Sequence, residues 1–440
     1  MKGAQVSSFR RVGPLWQPGT VRRHSTQRSR LYVPVVSLLV AGAGACQRDA
    51  PAESFSDQPP LVELFSWWSA PGEAEALEAL IDTHHQREPG ARVFNSAAAS
   101  GSKARDVLED RLLSNRPPDI FQEYIHAMRA VASQAAGKRI PLDDLFDGLG
   151  LRGVVFPEIV RDVTREGHIY AMPVNVHREN TLLYNRRIFA AHHLAVPRTV
   201  SDFLAACRQL KAAGVIPVAT ANEGWILRIM FNSLAIGVMG IDQYQEYFMG
   251  WRAADVPRLK QSIDLFAEVI ENYVNPDSGD EGFGWTNAAQ AVFNGDAAMF
   301  LHGDWGKGYF VQLGWNGETD FGLATAPGGA GMFLYGVDAF ALATGAHNDP
   351  GARSFLATVA SPAGQVAFNR IKGSSPIRPD VQRDDLDVLG RETLADLEHA
   401  RIRMLVRSRP IWEDALAAFS RDHDRQRLLR AFLDNPPAGG

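Results

Sequence analysis

Apolar positions along the chain alternate between short continuous runs and helical spacing, and the order of these switches predicts strands and helices in alternation. Residues 61–68, LVELFSWW, read as a buried strand closed by a loop of Ser69, Ala70, Pro71 and Gly72. Residues 73–84 then carry Ala76, Leu77, Leu80 and Ile81 at helical spacing. ARVFNSA at 91–97 reads as a second strand, 103–113 as a helix through Val107, Leu108 and Leu112, and DIFQEY at 119–124 as a third strand. This is βαβα order and predicts an α/β sheet. Farther on, Thr199 is placed to cap a helix over 200–213 whose Phe203, Leu204, Cys207 and Leu210 share one face, and Gly214 suits its end. Cys207 is then a core thiol.

The first 60 residues break this rhythm. Residues 1–45 hold seven basic side chains and no acidic one, and the apolar run 31–40 follows the last of them, the pattern of an export leader. The apolar window 31–45 contains Pro34 and falls short of the roughly 20 residues a spanning helix needs. Ala43 and Ala45 satisfy the small-residue cleavage pattern, and AGAC at 43–46 resembles a lipobox in which Ala43 stands where Leu is usual. Cys46 is therefore a candidate for lipidation, with simple secretion as the alternative. Residues 47–60 are polar, contain proline and lack periodicity, as a tether would.

Length and charge narrow the function. A chain of 440 residues with 45% hydrophobic and 22% charged side chains is globular and long enough for two or three domains. Removing the seven basic residues of the leader leaves 38 against 50 acidic ones, a net charge of −12 that repels phosphate backbones. Nucleic acid is excluded as a partner on that ground. Two cysteines supply neither a disulfide framework nor a thiolate metal site.

Six blocks in order carry a resemblance: WWS-x-x-GE from residue 67, AMPVNVHRENTLLYN at 171–185, PxTVSDFLAACRQLKAAGVIP at 197–217, NGDAAMFLHGDWGKG at 294–308, YGVDAFALATGA at 335–346 and FNRIKGSSPIR at 368–378. Together they resemble the glucose-type branch of the extracellular solute-binding proteins of bacterial ABC sugar importers, over nearly the whole chain after the leader. The resemblance implies a two-lobed α/β fold, each lobe a mostly parallel sheet flanked by helices, with several hinge crossovers. With the leader and Cys46, the chain is expected to be a monomer exported to the periplasm or cell envelope and held to the membrane only by a lipid anchor. The protein would trap a small saccharide by hinge closure and dock on an ABC permease in the inner membrane, with no cofactor, metal or catalytic residue. The expected division is 1–45 leader, 46–60 tether, 61–175 with 300–342 as lobe 1, and 176–299 with 343–440 as lobe 2.

A pyranose has apolar C–H faces and a rim of hydroxyls, so its site needs flat aromatic walls together with carboxylates, amides or ammonium groups. Trp67 and Trp68 end a predicted strand, where ligands of open α/β sheets bind, and both are candidate walls if the strand stops before Trp67. Glu73 lies in the first turn of the following helix, either to accept sugar hydroxyls or to complement the helix dipole. Asp304, Trp305 and Lys307 share a glycine-flanked loop after the apolar run 297–301 and resemble the family's cleft segment. His177 sits at the expected first crossover, and Asp338, at the third, is either a ligand carboxylate or a hinge anchor. Trp225 offers a wall from the second lobe, whereas Trp251 and Trp285 read as packing and His84-His85 as an exposed pair. Tyr124 and the region of Trp412 and Asp414 stand where the glucose-type proteins carry a lysine and a histidine. The departures predict a preference for another neutral sugar, with Tyr124 and Trp412 as extra stacking walls. Two other classes remain open: a ligand-sensing partner of a membrane receptor, and a secreted glycoside hydrolase using a pair among Glu73, Asp304 and Asp338.

Overall fold

The computed structural model describes residues 61–96, 102–125 and 136–437; the expected leader and tether, with Cys46, lie outside the described residues. Two sheets organise the rest. In the first, Leu61–Phe65 lies between Arg92–Asn95 and Ile120–Tyr124, all three parallel; Asp338–Leu342 then pairs antiparallel with Ile120–Tyr124 and with Met172–Pro173. In the second, the order is Phe321–Thr325, Thr181–Asn185, Ala297–His302, Ile216–Ala219, with only the last pair parallel.

Each sheet carries its own core. Phe65, Phe121, Phe146, Phe340 and Phe355 pack on the first. On the second, the two-residue period of a strand separates two cores: Met299 and Leu301 join Phe231, Phe266 and Trp412 on one face, while Phe300 joins Phe310, Trp315 and Phe321 on the other. Helix Val200–Ala212 forms as expected, with Thr199 and Asp202 closing a reciprocal capping box, and burial pushes the thiol of Cys207 up to about 12. His84 departs from expectation. It is buried, with Nδ1 2.9 Å from Thr358 Oγ1, because its helix lies against Asp349–Ala360.

The chain passes between the sheets three times, and each passage contributes one strand to a small third sheet: His177–Arg178, Met332–Gly336 and Ile402–Leu405. The resulting lobe boundaries differ from those expected. Ala297–His302 and Phe321–Thr325 belong to the second sheet, since their backbones pair with Ile216–Ala219 and Thr181–Asn185. Helices Asp349–Ala360 and Pro362–Lys372 belong with the first, because Phe355 and Phe368 enter its core.

One close approach of backbone sets the position of several polar side chains. Gly72, at φ +83°, faces Gly308 so tightly that a Cβ would lie 2.6 Å from the Gly308 carbonyl carbon. A Cβ on Gly308 would in turn lie 2.5 Å from the carbonyl oxygen of Ile371 and 2.7 Å from that of Lys372. A loop and two helices therefore touch through glycine, which brings Glu73 to Lys372. Gly308→Ala is expected to lower stability by about 1–3 kcal/mol through overpacking. Gly153→Ala, where nothing lies within 4 Å of the added methyl group, is expected to stay within about 0.5 kcal/mol of the parent; urea unfolding midpoints of the two variants measure the contrast.

Candidate functional site

Where the three passages meet, polar groups are buried and tightly paired. The His177 ring lies between two carboxylates, with Nδ1 2.6 Å from Asp304 Oδ1 and Nε2 3.3 Å from Asp338 Oδ2. Asp304 follows a strand of the second sheet, Asp338 begins a strand of the first, and His177 belongs to the first passage, so this triad ties both lobes to the crossover. The other carboxylate oxygens are also engaged: the Arg178 N–H donates to Asp304 Oδ2 at 2.8 Å, and Gln122 Nε2 donates to Asp338 Oδ1 at 3.0 Å. Asn175 Nδ2 donates to Asp338 Oδ2 at 3.2 Å, and its Oδ1 accepts from the Asp338 N–H at 3.1 Å.

Burial disfavours a charged imidazole, but the adjacent Asp304 carboxylate outweighs it and raises the pKa of His177. Burial likewise pushes the Asp338 carboxyl up, and the hydrogen bond and charge of His177 overcome that and lower it. A second buried network lies beside the first. Tyr124 Oη donates to Glu179 Oε1 at 2.8 Å, while Arg228 reaches Glu179 Oε2 at 2.5 Å and Glu413 Oε1 at 3.0 Å. Burial works against the Arg228 charge, and Glu179 and Glu413 hold its pKa above the ordinary value.

An aromatic cluster adjoins these networks. The Trp305 ring lies across Gly303, 4.9 Å from the His177 ring and 6.3 Å from Trp225, with Lys372 Nζ 5.8 Å from its centroid. Lys372 Nζ also donates to Glu73 Oε1 at 3.0 Å. His302, two residues beyond Phe300, falls on the same strand face and stacks on it at 4.2 Å and 9°. That places its ring among Trp225 at 5.5 Å, Trp285 at 5.7 Å and Trp305 at 4.7 Å. The three indoles are each partly exposed. The arrangement offers flat apolar faces beside ion-paired and amide groups, which suits a ligand that is apolar on its faces and polar on its rim.

The structure thus brings together Glu73, His177, Trp225, Asp304, Trp305 and Asp338 from the expected set, and separates the others. The strand ends at Phe65, before Trp67, yet Trp68 does not face a cleft: it is buried against Phe368 at 4.7 Å and Phe340 at 5.5 Å. Trp67 is partly buried beside that core, with the Arg105 guanidinium 5.9 Å from its ring. Lys307 is buried and donates to Asp387 Oδ1 at 2.7 Å, so it ties its helix to Val388–His399 rather than to the aromatic cluster. Trp412 is a core residue stacked on Phe432 at 5.2 Å, and Asp414 is exposed; their neighbour Glu413 is the one that reaches Arg228. The Tyr124 hydroxyl is bonded to Glu179 and lies over Gly336, so neither Tyr124 nor Trp412 is a free stacking wall. Trp285 is a cluster member rather than plain packing, and Trp251 is 60% exposed.

Sequence reasoning missed Asn175, Glu179, Arg228, Lys372 and Glu413. Asn175, Glu179 and Lys372 stood inside the quoted blocks, and Arg228, a lone charge within the apolar run 225–231, was the available signal.

The family described as bacterial extracellular solute-binding protein matches residues 70–366. An uncharacterised ABC transporter extracellular-binding protein of Pyrococcus horikoshii is 30% identical over 84% of this chain and 84% of its own. A probable sugar-binding periplasmic protein of Mesorhizobium japonicum is 31% identical over 77% of this chain and 81% of its own. Among solved structures, the bacterial solute receptor AcbH, described as having an exclusive preference for β-D-galactopyranose, superposes with a TM-score of 0.72 at 16% identity, covering 84% of this chain and 96% of that one.

The His177 triad predicts a bounded pH window. The contribution of a group with a raised pKa is complete below its ordinary value of 6.5 and is lost as pH rises through the raised value. That of Asp338 is complete above its ordinary 3.8 and is lost as pH falls through the lowered value. Stability from the pair should therefore be greatest between 3.8 and 6.5. His177→Ala, which strips two buried carboxylates of their shared partner, should cost about 3–5 kcal/mol inside that window and remove the alkaline decline. Urea titrations of both proteins across the pH range would show it.

Proposed function

Because the chain belongs to the bacterial extracellular solute-binding proteins, we propose that it is the sugar-binding component of an ABC importer. It traps a small neutral saccharide between its lobes by hinge closure and hands it to a membrane permease, doing no chemistry on it. The observation that carries this reading is the group of three partly exposed indoles, Trp225, Trp285 and Trp305, set beside the Glu73–Lys372 pair where the lobes meet. The names of relatives described as sugar-binding periplasmic proteins support it. The engaged carboxylates Asp304 and Asp338 support binding over hydrolysis, because each already accepts hydrogen bonds from neighbouring protein groups. Stacking of the sugar on Tyr124 and Trp412 is no part of this reading.

The basic, apolar leader and the periplasmic or extracellular relatives support export. The finer reading is a monomer anchored by lipid on Cys46, with residues 47–60 as the tether. Cys46→Ser is expected to move the protein from the membrane fraction to the soluble one, and an unmodified Cys46 in the mass spectrum of the native protein would contradict the anchor.

A thermal-shift screen with neutral mono- and disaccharides should find at least one that raises the melting temperature, since ligand at 100 Kd adds about 2.7 kcal/mol. Trp225→Ala should then weaken that sugar about ten- to a hundredfold in calorimetry, the equivalent of about 1.4–2.8 kcal/mol. A folded Trp225→Ala protein with undiminished affinity would remove the indole from the site.

A further inference from the structure

His302 is fully buried, and neither ring nitrogen has a hydrogen-bond partner among the described residues. A neutral imidazole carries one N–H donor and one acceptor nitrogen, and leaving either unpaired in a dry interior costs about 1–3 kcal/mol. A ring serving only as packing would be replaced at no loss by phenylalanine, the residue two positions earlier on the same face.

Two further orphaned groups lie at the same edge. Strands Ile216–Ala219 and Ala297–His302 run parallel, with Ala219 opposite Phe300, so Thr220 and Asn222 leave the sheet at the edge where His302 ends. Thr220 Oγ1 and Asn222 Oδ1 are both buried without a partner. That edge is the carboxyl end of the only parallel pair in the second sheet, where open α/β sheets bind ligands. The hinge groups differ: His177, Asp304, Asp338, Glu179 and Arg228 are all engaged with one another or with neighbouring donors.

We propose that His302, with Thr220 and Asn222, forms the hydroxyl-reading set of the second lobe, in which one His302 nitrogen pairs directly with a sugar hydroxyl once the covering indoles part. The set determines which neutral sugar is held, while the crossover network determines only how the lobes are hinged. His302 acts as a neutral group: burial, with Lys372, His177 and Arg228 nearby, holds its pKa well below the ordinary value. The inference rests on the sugar-binding reading above.

The test is a cycle between side chain and hydroxyl. The full chain, His302→Phe and Thr220→Val are titrated calorimetrically with the best sugar of the screen, its single-position epimers and its deoxy analogues. His302→Phe keeps the ring stack and is expected to weaken the parent sugar about 5- to 150-fold, the range of one lost buried hydrogen bond. One deoxy analogue, lacking the paired hydroxyl, should bind His302→Phe and the unaltered chain equally. A loss shared evenly by every analogue, or no loss at all, overturns the proposal and leaves sugar binding intact. If the unaltered chain binds no neutral sugar, the sugar-binding reading fails and this inference with it. Should His302→Phe not fold, Thr220→Val answers the same question at its own hydroxyl.

Discussion

An imidazole lodged between two buried carboxylates is the constraint on which the rest of the structure depends. His177, Asp304 and Asp338 come from a crossover, the second sheet and the first sheet, and none is more than 3% exposed. Taking such charges out of water costs several kcal/mol per ion, recovered only when every member is in place with its remaining lone pairs satisfied. Asn175, Gln122 and the Arg178 N–H supply those remaining bonds. Position follows from this. With Asp304 fixed, Trp305 lies across Gly303 against His177, and the glycine contacts around Gly308 bring Lys372 to Glu73.

The polar groups of the site consequently fall into two kinds. Those at the crossover are bonded to one another: the histidine triad on one side, Tyr124–Glu179–Arg228–Glu413 on the other. Such networks rigidify the passages between lobes and specify one arrangement of three strands. Those at the carboxyl edge of the second sheet leave buried atoms unbonded, and His302 among them stands against indoles that solvent reaches. A hinge has to keep its own bonds while it moves, and a binding face has to leave bonds open. The separation between the two sets is what a two-lobed binding protein requires.

Much of the fold was legible in the sequence because it follows from local pattern. The strand-loop-helix at 61–87 and the capped helix after Thr199 are periodicity and capping chemistry, and the structure contains both. The site was legible only in part, since its membership depends on which face a residue takes at long range. Trp67 and Trp68 are adjacent and chemically alike, yet Trp68 is buried by Phe368, some 300 residues along the chain. Asp414 and Glu413 differ by one position on a helix, roughly 100° of rotation, and only Glu413 turns toward Arg228. His302 was visible as a residue but not as an orphan, because the absence of a partner is a property of the whole packing. The lobe boundaries failed for a similar reason: nothing local says with which sheet the apolar run at 297–301 pairs.

In the proposed mechanism a neutral sugar draws the two lobes together around the crossover. Small-angle X-ray scattering of the protein, first alone and then saturated with the sugar that stabilises it most, measures this directly. Hinge closure predicts a smaller radius of gyration with sugar bound and return to the starting value when the sugar is dialysed away. An unchanged radius of gyration at saturation would contradict it.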